Sequence, residues 1–488
     1  MITTAKTELT VDDVLKIFSN YLKSDSYRYI QMLESYYNSA NPEIVKRFNR
    51  KQWQRKEPNT LIPTAYYPTL VDNLSGYLFG NVKYVAETHN VDVEGDDIDN
   101  SDNTQNELSE ILNKTFSDIN VDVVDIQTGT KAIAYNKGVE LVYTKGDGIN
   151  PAEIRVVSLD PKSVITIYSD DIEPVLTYAI LFNKVDYKAG SVKITYDLTV
   201  IDKSGIVYYQ ITDKNEIQVN ADKEPVITVW SECPVVEYKT EVLNENSCFH
   251  QILPYIDALD ILISGNSDEV SRLADAILKL SSKLSEEQKK NLNELRVIEG
   301  IGKDEIAEFI TRNTDSSFRE YVSKLLIQEI YRHSHMVDMY TSDSAAGDAS
   351  GKALKVRLTD QNTFCDRIEK SVKLGWQKRI RLFKDFFLKD KRISEDAAQT
   401  NIKTVFNRTK IIGVEDIASQ LTQPTFISDE TKQELCGLDP EQEGKRLDKQ
   451  KENSGFDISD LLPKDITPES NADTSKEEPV AEDKNALG

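Results

Sequence analysis

The longest regular pattern in the chain lies in its last third. From Lys352 to Leu388 large apolar residues recur at Phe364, Ile368, Val372, Trp376, Ile380, Phe383 and Phe387. Steps of four with one step of three draw a single stripe on an α-helix, so a long helix with one buried face is predicted, Trp376 at its middle. Shorter helices are predicted over residues 11–50, where VDDVLKIFSNYL precedes a tyrosine-rich stretch through Tyr36 and Tyr37, over 66–80, closed by Gly80, and over 106–136. Between 138 and 232 the period changes. VELVYTK, EIRVVSL, SVITIYS, LTYAILF, VKITYDLTVI, IVYYQIT and PVITVW are rich in β-branched and aromatic residues, with Gly, Asp, Asn and Lys turns between them. They predict an antiparallel region of roughly seven strands. Helix is expected again over Leu253–Leu280 and Ser317–Met336, and a small helical module over 400–450.

Three stretches carry few bulky apolar residues. Residues 88–104 are acidic and read as an exposed loop. Residues 340–351, YTSDSAAGDASG, are small and polar and read as a flexible loop. Residues 453–488, rich in Pro, Ser, Asp and Glu, read as a disordered acidic tail. The fold class is therefore α+β, and 488 residues suggest two to four modules.

Charge narrows the function. The chain has 82 Asp and Glu against 59 Lys and Arg, a formal net charge of -23. Such a surface repels phosphates on average, which argues against a sequence-reading DNA binder but not against a protein past which DNA slides. The long helix and its flank run against this trend: residues 351–392 hold 13 Lys and Arg against 5 Asp and Glu. That surplus either pairs with acidic neighbours in this or an adjacent subunit, or faces DNA. No apolar run is long enough for a bilayer, and the start, MITTAKTELTVDDVLKIFSNYL, has no apolar core after a basic stretch, so neither membrane span nor secretory leader is expected. Cys233, Cys248, Cys365 and Cys436 form no CxxC pair and are expected as free thiols. His333 and His335 are two apart on a predicted helix and point apart, unlike a zinc pair.

Candidate chemistry is sparse. Gly347-Asp348-Ala349-Ser350-Gly351-Lys352-Ala353 looks like a phosphate loop, but three residues separate its glycines where four are needed, and Ala353 stands where a magnesium-holding Ser or Thr belongs. It is expected to be a loop running into a helix, with Ser350 a candidate N-cap. Asp257, Asp260, Asp268, Glu269 and Asp275 lie on one predicted helix and read as an exposed acidic face. Repeated around a ring, that face would line a channel. No GxSxG and no Cys/His arrangement at a recognisable spacing is present. No catalytic, cofactor or metal residue is assigned, and the chain is expected not to be an enzyme.

The order of several blocks carries a resemblance. LVDNLSGYLFGNVKYV (Leu70–Val85), GVELVYTKGDGINPAEIRVVSLDPKSVITIYSDD (Gly138–Asp171), Cys233-Pro234-Val235-Val236-Glu237, IYRHSHMVDMYTSDSAAGDASGKALKVRL (Ile330–Leu358) and VFNRTKIIGVEDIASQLTQPTFISDETKQELCGL (Val405–Leu438) follow one another as in the portal proteins of tailed double-stranded DNA bacteriophages. Together they span most of residues 20–450. Two departures are Cys233, where the family carries an aliphatic residue, and the acidic stretch at 88–104. The resemblance, of siphophage type, implies a dodecameric ring at one capsid vertex, a channel for DNA packaging and ejection, and a head-to-tail connector. It implies a wing (1–246, with the long helix 352–390), stem helices (247–280 and 316–338), a clip (281–315), a tunnel loop (339–351) and a crown (391–452). Ser342, Asp343, Ser344, Gly347, Asp348, Ser350 and Lys352 then become DNA-facing candidates. The implied partners are further copies of the chain, double-stranded DNA, the terminase large subunit, the major capsid and scaffolding proteins and a head-completion adaptor, in the host cytoplasm during assembly and then in the virion. No cofactor is implied. Two readings compete: a scaffold or adaptor without DNA passage, and a phosphoryl or nucleotidyl transferase using the acidic clusters.

Overall fold

The computed structural model describes residues 2–6, 8–52, 59–86, 101–145, 153–189, 192–227, 230–241, 245–274, 277–280, 307–310, 316–338, 351–406 and 408. The chain divides into two units, residues 1–411 and 412–488, and the described residues all belong to the first. The expected tail, and the expected helical module from 409 onward, lie outside them.

The chain opens with β1 (Ile2–Thr4) and three helices, α1 (Val11–Lys23), α2 (Asp25–Tyr37) and α3 (Pro42–Gln52). Thr10 starts α1 with a reciprocal cap: its hydroxyl accepts from the Asp13 N–H while the Asp13 carboxylate accepts from the Thr10 N–H. Next come α4 (Tyr66–Phe79) and β2 (Val82–Ala86), then α5 (Ser101–Asp118) and α6 (Val121–Tyr135). Residues 106–136, expected as helix, divide between two helices, because Asn120 turns left-handed (φ 53°), a conformation asparagine tolerates better than most residues. The acidic stretch expected as a loop to 104 is already helical from Ser101; its residues 88–100 lie outside the described set.

Nine strands follow: β3 (Gly138–Lys145), β4 (Glu153–Leu159), β5 (Val164–Ser169), β6 (Leu176–Ala189), β7 (Val192–Ile201), β8 (Gly205–Thr212), β9 (Ile217–Val219), β10 (Val226–Ile227) and β11 (Val235–Tyr238). They make two sheets where one region was expected. The larger runs β1-β5-β6-β7-β8-β10, with β9 also on β8; the smaller runs β11-β3-β4. All their pairings are antiparallel except β1 on β5.

The remainder is α7 (Leu253–Ala274), β12 (Ile277–Leu280), β13 (Ala307–Ile310), α8 (Ser316–Ser334), α9 (Gly351–Lys389), α10 (Glu395–Gln399) and β14 (Ile402–Phe406). The helix expected to reach Leu280 stops at Ala274. Ile277-Leu-Lys-Leu280 is a short apolar run that suits either helix or strand, and antiparallel pairing with Ala307–Ile310 decides for strand. Residues 402–406 were expected in a helical module. IKTVF is instead a strand, alternating and β-branched, and it pairs antiparallel with β2.

Two layers of packing organise the unit. Val14, Phe18 and Tyr21 of α1 cover the larger sheet at Ile165, Ile167, Phe182 and Leu198. The predicted stripe of α9 is buried along its whole length in the main core. Trp376 sits among the rings of Phe79, Tyr238 and Phe406, at centroid distances of 5.6, 5.1 and 5.2 Å. Its Nε1–H donates to Asp125 Oδ1 at 3.2 Å. Beside it, Gly375 has no side chain for a steric reason: an added Cβ would stand 2.4 Å from Cδ1 of buried Tyr238.

Two substitutions test this packing. Trp376→Ala should destabilise by about 3–5 kcal/mol in denaturant unfolding, since the ring is fully packed. Gly375→Ala should also destabilise, although alanine in an exposed helix interior would stabilise by about 1 kcal/mol. A Gly375→Ala protein that melts later than wild type would show that Tyr238 does not press on α9.

Candidate functional site

The acidic residues singled out on α7 do not form an exposed wall. Asp260 and Asp268 are buried, and Asp257 is half-buried. Asp260, Ser264 and Asp268 stand at i, i+4 and i+8, one above another along the helix. Each faces an extended segment of the chain that runs alongside. The N–H of Thr64 donates to Asp260 Oδ1 at 2.8 Å, that of Ile62 to Ser264 Oγ at 3.1 Å, and that of Thr60 to Asp268 Oδ1 at 2.6 Å. Every second N–H of an extended chain lies about 6.6 Å on, and every fourth helical residue about 6 Å on, so the two repeats match. Side-chain oxygens thus take the place of a neighbouring strand. Asn41 Nδ2 donates to both Asp257 (2.9 Å) and Asp260 (2.8 Å), and the Tyr36 hydroxyl donates to Asp257 (2.7 Å). The expectation of an acidic channel face therefore fails for Asp260 and Asp268, because backbone donors need their charge inside. Glu269 is ion-paired with Arg319 of α8. Asp275 lies outside the described residues.

α7 and α8 form an antiparallel pair. Arg319 Nη1 donates to Asn266 Oδ1 at 2.9 Å near one end, and His333 stacks on Tyr255 at 5.2 Å near the other. His335, two residues on, turns left-handed and faces Asp360 at 3.0 Å, so the histidines do point apart. One row of exposed apolar residues runs along α8, beside the exposed Glu320–Lys324 ion pair. Phe318 (64% exposed), Tyr321 (64%) and Leu325 recur at i, i+3 and i+7 on α8, and Val270 (68%) and Ile261 are exposed on α7. Singly exposed apolar residues are ordinary, whereas on α8 two exposed aromatics stand one turn apart.

Part of the basic surplus of α9 is met within the same chain. Arg381 pairs with Glu232 at 3.0 Å, and Arg367 with Glu241. Arg379 is completely buried. Its Nη1 lies 2.7 Å from Asp125 Oδ1 and 3.2 Å from Glu140 Oε1, and its Nη2 donates to the Tyr84 hydroxyl. Tyr84 in turn donates to Asp125 (2.6 Å), and Tyr238 donates to Glu140 (2.7 Å). Burial pushes the Glu140 carboxyl above its usual range, against the pull of Arg379. This cluster was missed in the sequence. Its signal was a charged residue inside an apolar stripe, between Trp376 and Ile380 on one side and Phe383 on the other.

Ser342, Asp343, Ser344, Gly347, Asp348 and Ser350 lie outside the described residues, as does the rest of the expected tunnel loop up to Gly351. Lys352 belongs to the first turn of α9. Of the expected clip, only β13 falls among the described residues. Cys233 and Cys365 are buried and Cys248 half-buried, all as free thiols, and burial pushes Cys233 up to about 11 and Cys248 and Cys365 up to about 12.

Arg379→Met should cost about 3–5 kcal/mol in denaturant unfolding, because it strands two buried carboxylates. Adding Glu140→Gln should restore part of that loss, whereas Glu140→Gln alone should destabilise. Strict additivity of the two changes would refute the coupling.

The family described as phage portal protein, SPP1 Gp6-like, matches residues 19–455. No curated protein matches the chain. The family match takes in α2 to β14, the two sheets apart from β1, the paired helices and the long basic helix, and it spans the whole block order read in the sequence. The chain belongs to the phage portal protein family, SPP1 Gp6-like.

Proposed function

We propose that this chain builds the ring at one capsid vertex of a tailed bacteriophage, through which double-stranded DNA is packaged and later ejected. Family membership supports the general reading. The observation that carries it in this chain is the apolar row on α8, where Tyr321 and Phe318 are each 64% exposed in a lone subunit. A ring closes through a head-to-tail contact between unlike surfaces, and such a contact would cover this row in every copy. A dodecamer is the expected ring.

In this reading residues 1–246 with 352–390 are the wing, α7 and α8 the stem, and 281–315, with β12 now added, the clip. The crown narrows to residues beyond β14, since β14 is a strand of the β2 sheet. The tunnel loop of 339–351 would meet the passing duplex. Ser342, Asp343, Ser344, Gly347, Asp348 and Ser350 carry no cation, and Lys352 alone follows them, so the contact would be weak and salt-sensitive. Terminase large subunit, major capsid and scaffolding proteins and a head-completion adaptor are the proposed partners, met in the host cytoplasm and retained in or released from the virion. A transferase reading loses its best acidic cluster, because the α7 carboxylates are engaged by the segment 59–64.

Two experiments test the proposal. Phe318→Asp with Tyr321→Asp should leave the circular dichroism of the subunit unchanged and abolish the closed oligomer in native mass spectrometry. Rings that survive the double change would remove α8 from the contact. Shortening residues 343–349 should preserve rings and procapsids while lowering the DNA packaged, in a complementation assay that measures both. Normal packaging would end the assignment of this loop to the channel.

A further inference from the structure

A cavity of about 710 Å³ opens where the junction of α1 and α2 meets the two sheets. The first turns of α2 form one side, and the end of α6 with β5 and β11 the other. Tyr29, Met32, Tyr135 and Ile165 give it an apolar and aromatic wall. Its size is that of a pocket for a small organic molecule.

Charge in the wall is unevenly met. The carboxylates that line it are Asp25, Glu237 and Glu245, and each has a partner in the same wall. Arg28 faces Asp25 at 3.5 Å, and Lys239 faces Glu237 at 3.8 Å. The Tyr168 hydroxyl also donates to Glu237, and the Ser26 hydroxyl donates to Glu245 at 3.1 Å. Lys137 is the exception. Its Nζ donates to the Val164 carbonyl at 2.6 Å and lies 5.6 Å from the centre of the Tyr21 ring. Among the described residues no carboxylate comes within ion-pairing distance of it, and an ammonium has further N–H donors to place. Burial pushes this ammonium below its ordinary range, with Glu237 pulling the other way. Tyr21 itself is only 5% exposed, and its hydroxyl has no hydrogen-bond partner among the described residues. Buried hydroxyls are normally paired. What the cation and the hydroxyl both lack is an acceptor.

We propose that this cavity binds a small organic monoanion with a flat aromatic body, its carboxylate or similar head on Lys137 and Tyr21 and its ring among Tyr29, Met32 and Tyr135. An anionic head gains a charge-assisted bond that a neutral amide does not. The body gains apolar burial and offset contact with the tyrosine rings. A cationic head would be set beside Lys137, with the wall's carboxylates already engaged. Binding there does not depend on ring closure, since every lining residue belongs to one copy.

The test is calorimetric titration of the full chain with naphthalene carboxylate, naphthalene carboxamide and naphthylmethylammonium. The carboxylate should bind saturably and the amide about tenfold more weakly, the margin of a charge-assisted bond over a neutral one. The ammonium compound should not bind. Lys137→Met should bring the carboxylate down to the affinity of the amide. Tyr21→Phe keeps the ring and removes only the unpartnered hydroxyl. The ligand-free variant should therefore melt at or above the wild-type temperature, while carboxylate binding weakens by about threefold or more. Tyr21→Phe decides the outcome if Lys137→Met, which also loses its bond to Val164, fails to fold. No saturable binding of the carboxylate, equal affinity for carboxylate and amide, or wild-type affinity in either folded variant would overturn the proposal.

Discussion

A guanidinium with two carboxylates, sealed from water, is the constraint around which the unit is arranged. Arg379 reaches Asp125 from α6 and Glu140 from β3, and the hydroxyls of Tyr84 from β2 and Tyr238 from β11 complete the cluster. Taking such charges from water costs several kcal/mol per ion, and the cost is offset only if every partner arrives. Four elements distant in sequence must therefore meet α9 at one register. The aromatic packing of Trp376 fixes the same register, because its ring nitrogen donates to the same Asp125. Further along α9, Phe364 stacks on Phe249, just before α7, at 6.3 Å. The register of the long helix is thus passed to the α7–α8 pair and to the apolar row on α8.

What could be read in advance follows from how local each signal is. The stripe from Phe364 to Phe387 and the burial of Trp376 were legible because a helical period needs only its own residues. The strands were legible in character, although nine formed where roughly seven were expected, and their division into two sheets was not, since β11 returns to β3 from far along the chain and only the partner defines the sheet. The carboxylates of α7 show the opposite failure. Asp260 and Asp268 on one helix read as a solvated face. The donors that hold them inside belong to Thr60 and Thr64, backbone groups with no signature in composition. Ser264 between them was the available hint, a small hydroxyl on the same line. β12 and β14 failed for a related reason: short apolar runs take the conformation of whatever pairs with them.

The charge of the chain is partitioned by these contacts. Basic residues of α9 are met by Asp125, Glu140, Glu232 and Glu241, and a set of acids on α7 by backbone and Asn41. The acids that remain outward, such as Asp170 and Asp171, belong to turns at the sheet's end.

Ring formation is the claim on which the rest turns, and the shape of the particle tests it most directly. Negatively stained images of the assembled full chain should show rings with a central hole, in end views with about twelve-fold repetition. Solid particles without a hole, open filaments, or single subunits at every concentration and salt would contradict the account.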